Sequence, residues 1–235
     1  MNLSLLLPTP LQYFRSLVQS DDGFPLLEAA ISLAQDDYPE LDVQQVLGEV
    51  DLLLSQLKRR LPADATGLHK LRSLNQFLYR DLGFACNFNH YDDPDNSYLN
   101  KVLRNRRGIP ISLAVLWLEL AQGLGLKARG VSFPGHFLVK VKLLEGQVIL
   151  DPLSGQSLSH EQLSERLEPY RQPAGGGPEF DSSLGVYLRA AAPRDIIQRM
   201  LANLKIIHQT QDDESRLLAV QDRLDVLLAG PVKAR

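Results

Sequence analysis

Over most of the first third of the chain, apolar residues recur every three to four positions, the spacing of helices that bury one face. One such stretch runs from Phe24 to Ala34. A second, Asp42 to Leu57, opens on Asp42 with Gln45 three residues on, a pair suited to capping a helix start. It then sets Val43, Val46, Leu47, Val50, Leu53, Leu54 and Leu57 along one stripe. Thr66 predicts the cap of a third helix whose Leu68, Leu71, Leu74, Phe77 and Leu78 face inward. The pattern breaks at 87–96, a polar, acidic loop rich in turn formers (Asn89, Asp92, Asp93, Pro94, Asp95). A short helix, Ser97 to Arg104, is expected next, followed by the basic run 104–107. Pro110 to Leu124 is apolar on nearly every side, which predicts a central buried helix ended by Gly123 or Gly125.

The period then changes from helix to strand. Ala128 to Phe133, Phe137 to Leu143 and Gln147 to Leu150 read as three strands, with Glu145-Gly146 as the turn between the last two. Ser159, with Gln162 three residues on, predicts the start of another helix. Pro173 to Pro178 is the best linker candidate. Beyond it, Pro193 to His208 and Glu214 to Leu228 form an amphipathic pair, too short for a solenoid and obliged to dock on something. The expected fold class is α+β and helix-rich, with a small antiparallel sheet and a C-terminal helical pair. The expected division is a helical region at 1–85 packed on a core at 86–172, with the pair at 179–235.

Composition narrows the function classes. A chain of 235 residues, 44% hydrophobic and 23% charged, has the makings of a packed core. Its net charge of −3 creates no basic field for nucleic acid or an anionic membrane. The single cysteine, Cys86, excludes an internal disulfide and suits a reducing compartment. The first eight residues lack a basic start and their apolar run stops at Pro8, so no signal peptide is expected. No apolar run reaches the roughly 20 residues of a membrane span. The expectation is a cytoplasmic protein. His90 to Asp95 suggests a metal loop at first sight, but it lacks the glycine and terminal glutamate of a calcium loop, and one histidine is poor zinc chemistry. Neither metal nor cofactor is expected.

A buried helix, then a strand bearing His, then a strand ending in Asp is a known chemical layout. A thiolate at the helix N-terminus is stabilised by the helix dipole and an adjacent imidazolium, and a carboxylate fixes the histidine tautomer. The candidates are His136 in Pro134-Gly-His-Phe-Leu-Val139 and Asp151 in Val148-Ile-Leu-Asp-Pro152. Ala114 and Leu124-Gly-Leu-Lys-Ala-Arg129, followed by His136 and Asp151 in order, resemble the transglutaminase-like superfamily, whose core is papain-like. Registering Ala114 and Gly125 on that pattern puts the nucleophile position at Pro110, where no cysteine stands.

A closer resemblance, to the SirB-like family, covers most of the chain. It rests on Asp95-Asn-Ser-Tyr-Leu-Asn100, Arg107-Gly-Ile-Pro-Ile-Ser-Leu113, Phe133-Pro-Gly-His-Phe-Leu138, Leu150-Asp-Pro152 and Met200-Leu-Ala-Asn-Leu-Lys205. It implies a transglutaminase-like core joined to a C-terminal tetratricopeptide-type pair, and a pattern that lacks the cysteine throughout. Proline suits a first helical position, where its missing N–H would have no partner anyway. Ser112 lies about 200° further round the helix and is expected to point elsewhere.

The resulting expectation is a protein- or peptide-binding or regulatory module, with His136 and Asp151 as a remnant pair and Asn96, Asn100, Arg107 and Pro110 at the cleft. The rival is an amide hydrolase or acyl transferase using His136 and Asp151 with a different nucleophile. Cys86 reads as inert packing. Lys101, Arg104, Arg106 and Arg107 offer an anion contact, or simply complement a helix C-terminus.

Overall fold

The protein is described by a computed structural model over residues 8–19, 23–170 and 180–230. The proposed linker 173–178 lies outside the described residues. Helix α1 (Pro10–Leu17) was not expected from the sequence. At two turns it is too short to show a period, yet Thr9 caps it, accepting from Gln12 N while Gln12 Oε1 accepts from Thr9 N. Helix α2 (Leu26–Ser32) runs into a 3₁₀ turn, and α3 (Val43–Lys58) is capped by Asp42, which accepts from Gln44 N and Gln45 N. Gln45 turns towards Glu49 instead of reaching back over the cap. Helix α4 (Gly67–Asn75), capped by Thr66, continues as one π-helical stretch over Gln76–Asp81.

Strand β1 (Ala85–Cys86) is two residues long and pairs in parallel with β2 (Arg107–Gly108), another element below the length at which a period shows. Between them, α5 (Leu99–Asn105) follows a 3₁₀ turn at Pro94–Asn96 and ends on Arg106, whose φ of +56° places it in the left-handed region. Next comes α6 (Pro110–Gly123), buried along its length except at Glu119, Gln122 and Gly123. Gly125, at φ +76°, is the residue that turns the chain out of it.

Strands β3 (Lys127–Val131), β4 (Leu138–Lys142) and β5 (Gln147–Leu150) form an antiparallel sheet in that order, with Gly130 opposite Val139 and Val139 opposite Leu150. Successive side chains alternate between two covered faces. Ala128, Phe137, Val139, Val141 and Leu150 join the core built around α6. Val131, Phe133, Leu138 and Ile149 instead meet Leu163 and Leu167 of α7 (His160–Leu167) and Leu184 of α8 (Phe180–Tyr187). Helix α8 had no sequence-based expectation.

Helices α9 (Pro193–Thr210) and α10 (Glu214–Leu228) form the expected antiparallel pair. They share one hydrophobic core with α1 to α6, running from Phe14 to Leu227. Polar contacts fix the docking. Arg223 Nε lies 2.6 Å from Asp36 Oδ2 with the arginine buried, and Arg216 Nε lies 3.2 Å from Asp37 Oδ2. Removing one partner of a buried pair such as Arg223–Asp36 leaves the other charge uncompensated. The C-terminal pair is therefore built onto the N-terminal helices as well as onto the sheet. Its α9 reaches the sheet edge at Gly130, where a Cβ would come within 3.1 Å of Ile196 Cδ1.

Candidate functional site

Three elements bring the predicted pair together. Phe133-Pro-Gly-His136 closes a β-turn, His136 N donating to Phe133 O (3.1 Å) with Gly135 at φ +64°. The turn delivers His136 at the head of β4, while Asp151 stands just past the end of β5. Their side chains meet, with His136 Nε2 3.0 Å from Asp151 Oδ1. The carboxylate is also held by Leu153 N (3.0 Å) on Oδ1 and by Arg166 NH1 of α7 (2.9 Å) on Oδ2. Burial pushes the Asp151 carboxyl up, but the hydrogen bonds from His136, Leu153 N and Arg166 outweigh it and bring its pKa down to about 2. With Nε2 engaged by Asp151, Nδ1 is the histidine nitrogen left for a ligand or a reacting group.

The loop that carries Asp151 is braced from behind. Gly155 N donates to Asp151 O (2.7 Å), Asn75 Nδ2 donates to Gly155 O (2.7 Å), and Tyr79 Oη donates to Pro152 O (2.8 Å). Asn75 in turn accepts from Trp117 Nε1 of α6 at 2.9 Å. Gly155 sits at φ +69°, and a Cβ there would fall 2.5 Å from Tyr79 Cε2 and 2.7 Å from Asn75 Cγ. Because hydrogen bonds hold both neighbours, Gly155→Ala is expected to lower stability by about 2 to 3 kcal/mol, combining left-handed strain with the clash. Urea unfolding of the variant checks this. Unchanged stability would mean that Asn75 and Tyr79 do not brace the loop.

Pro110 and His136 line the same small cleft, about 130 Å³, together with Tyr91, Ile109, Ile111, Gly135, Phe137, Arg199 and Asn203. Ser112 is completely buried and faces away from it. Its hydroxyl proton goes to Asn96 O (2.6 Å) and its oxygen accepts from Ile109 N (3.1 Å). Cys86 is buried on β1 opposite Gly108 and is not among the cleft-lining residues. Burial pushes its thiol up and the negative charge of Asp151 adds to this, against a backbone hydrogen bond from Asn87.

The other predicted site residues scatter. Asn96 is buried behind the cleft wall. Its Nδ2 donates to His90 O (2.6 Å) and Tyr91 O (3.3 Å), tying the 87–91 loop to the start of α6. Asn100 lines a separate cavity with Tyr38, Glu40, Arg104 and Arg106, and its buried Oδ1 has no hydrogen-bond partner among the described residues. Arg107 is exposed and spends NH1 on Gly83 O and Arg106 O, both at 2.9 Å. Neither Asn100 nor Arg107 lines the His136 cleft.

Four residues close to the pair escaped the sequence reading. Arg166 braces Asp151, while Arg199 and Asn203 come from α9. Tyr170, half exposed, packs so tightly over Gly135 that a Cβ there would lie 1.8 Å from its hydroxyl oxygen. Asn203 falls inside the Met200–Lys205 segment already singled out, which was the available signal. Arg166, Tyr170 and Arg199 gave none, since each lies on an amphipathic surface where such residues are ordinary.

A buried helix starting at the cleft, a histidine from one strand and a carboxylate from the next form the layout of a transglutaminase-like core, with Pro110 at the start of that helix. Residues 44–202 match the family model described as the transglutaminase-like superfamily. A UPF0162 protein of Xylella fastidiosa (strain Temecula1) is 37% identical over 215 residues, covering 91% of this chain and 75% of the relative. One from Pseudomonas aeruginosa is 31% identical over 209 residues, 89% of this chain and 73% of its own length. UPF0162 protein YchA of Escherichia coli K12 is 29% identical over 140 residues, covering 59% of this chain and 52% of YchA. The chain belongs to the transglutaminase-like superfamily and, within it, to the family of the UPF0162 proteins. No solved structure matches it.

Among the described residues, no helix is long and apolar enough to cross a membrane, and no group of three or more His, Cys, Asp or Glu side chains is placed to hold a metal ion.

Proposed function

We propose that this protein is a cytoplasmic binding or regulatory module that takes an extended peptide or side chain into the cleft between the start of α6 and His136. The observation that carries this reading is Pro110 lining the same cleft as His136, at the position where the superfamily pattern sets its nucleophile. Cys86 is no substitute, since it is buried and its thiol is pushed away from the thiolate form. Ser112 is no substitute either, with its hydroxyl turned to Asn96 O. The tetratricopeptide-type character of α9 and α10, and the SirB-like affiliation, belong to the same proposal. So does the division into a helical region, a core and a C-terminal pair.

The intact His136–Asp151 pair favours one rival reading, an amide hydrolase or acyl transferase in which His136 Nδ1 takes a proton from water or another nucleophile. A single experiment separates the two. The full chain is incubated with glutamine-, amide- and thioester-bearing probes and its intact mass is recorded, while immobilised peptides report binding. Binding without an adduct is expected, and Cys86 should alkylate at pH 6 no faster than a free cysteine with its pKa of about 8.5. A covalent adduct mapped beside His136 would replace the module reading with the enzyme.

A further inference from the structure

The cleft has an unspent positive character. Arg199 NH1 donates to Ser132 Oγ and Phe133 O, both at 3.0 Å, which holds the guanidinium in place. Its Nε and NH2 donors have no acceptor, and it forms no ion pair among the described residues. The ring of Phe137 lies 5.8 Å from its Cζ, packed beside it. Asp151, the nearby carboxylate, is fully taken up by His136, Leu153 N and Arg166. Across the cleft, α6 starts without a capping side chain, and Ile111, which lines the cleft, has no acceptor for its N–H among the described residues. The first N–H groups of a helix have no intrahelical partner and lie at the positive end of its dipole, which suits an anion. Tyr91 and Tyr170, each about half exposed at 48% and 50%, stand close to Arg199 and offer flat surface with a polar tip.

The geometry points to a carboxylate-binding subsite in the His136 cleft, in which Arg199 and Ile111 N at the start of α6 take the carboxylate of an incoming ligand, with Asn203 and His136 beside it. This deepens the binding-module reading and rests on it for the peptide nature of the ligand. A carboxylate suits the site better than a phosphate ester. One guanidinium balances one charge, whereas a phosphate carries close to two at neutral pH and calls for further cations. The cleft is also small, about 130 Å³, so the subsite takes the end of a chain or one acidic side chain, with the rest of the ligand lying over the tyrosines.

The test uses the full chain with its five histidine rings isotope-labelled, titrated with three probes. These are N-acetyl-trialanine with a free C-terminus, the same peptide as its C-terminal amide, and N-acetylglycine. The free-acid peptide is expected to shift the His136 ring signals and to bind at least about tenfold more tightly than the amide, the worth of one charge-assisted contact. Arg199→Gln should erase that preference and Arg199→Lys should restore part of it, with thermal unfolding confirming that each variant is folded. Equal binding of acid and amide, or a preference untouched in a folded Arg199→Gln, would overturn the carboxylate subsite while leaving peptide binding in place. Binding of N-acetylglycine through Arg199 without any binding of the peptides would keep the subsite and remove the peptide reading. No binding of any probe would remove both.

Discussion

Asp151→Asn is expected to lower the unfolding free energy by about 3 kcal/mol, because one buried carboxylate satisfies three donors. The substituted amide keeps the shape but loses the charge that holds His136 and Arg166, and it turns an N–H₂ towards at least one of them. The wild-type pH profile carries the same information. The Asp151 pKa is depressed in the folded protein, about 2 against the usual 3.8, so the folded state binds that proton more weakly than the unfolded chain and is stabilised wherever the carboxyl is ionised. That contribution, about 2 kcal/mol, is complete above pH 4 and disappears as the pH falls from about 4 through 2. Urea unfolding from pH 6 down to pH 2.5 should therefore steepen in wild type below pH 4 and flatten in Asp151→Asn. Matching profiles in the two proteins would show that Asp151 does not couple folding to protons.

Pro110→Cys is expected to create the most reactive thiol in the molecule. The new side chain would start α6 and line the cleft with His136, where the helix dipole and an imidazolium both favour a thiolate. A thiol with its pKa drawn below about 7 exists as thiolate at pH 6 far more often than an ordinary one near 8.5, although each such thiolate is intrinsically less nucleophilic. The net expectation is alkylation at pH 6 at least about tenfold faster than Cys86 in the parent protein, falling back when His136→Ala is added. The substitution should cost less than about 1 kcal/mol, from the freedom that proline removes in the unfolded chain. A folded Pro110→Cys protein whose new thiol is as sluggish as Cys86 would refute the placement of the nucleophile position at residue 110. Peptide mapping of the alkylated cysteine distinguishes the two thiols.

The elements legible in the sequence are those whose burial is one-sided and long enough to repeat. Helix α3, with its stripe from Val43 to Leu57, and the all-apolar α6 could be placed to within a residue or two, because burying such faces leaves the chain few alternatives. The antiparallel β3-β4-β5 sheet followed from alternation and the turn at Gly146, and the His136–Asp151 juxtaposition from the order of those strands. Helix α1 and the β1–β2 pairing did not show, since eight residues barely span two turns and a two-residue strand has no period at all.

The cleft itself divides along the same line. The amino-acid sequence by itself determined that a proline would begin the central helix, that a histidine and an aspartate would sit on neighbouring strand ends, and that the lone cysteine would be elsewhere. Each of these depends on local pattern and on strand order. Only the tertiary structure decided which polar residues surround the pair. Docking of α9 through the core carries Arg199 and Asn203 to a histidine more than sixty positions earlier, and packing of α7 against the far face of the sheet brings Arg166 to Asp151. The same packing leaves Asn100 lining a different cavity and Arg107 bonded to Gly83 O, away from the cleft that chain proximity suggested. Side chains on amphipathic surfaces acquire a neighbour only when the hydrophobic faces beneath them find theirs, and that choice is made by the whole core at once.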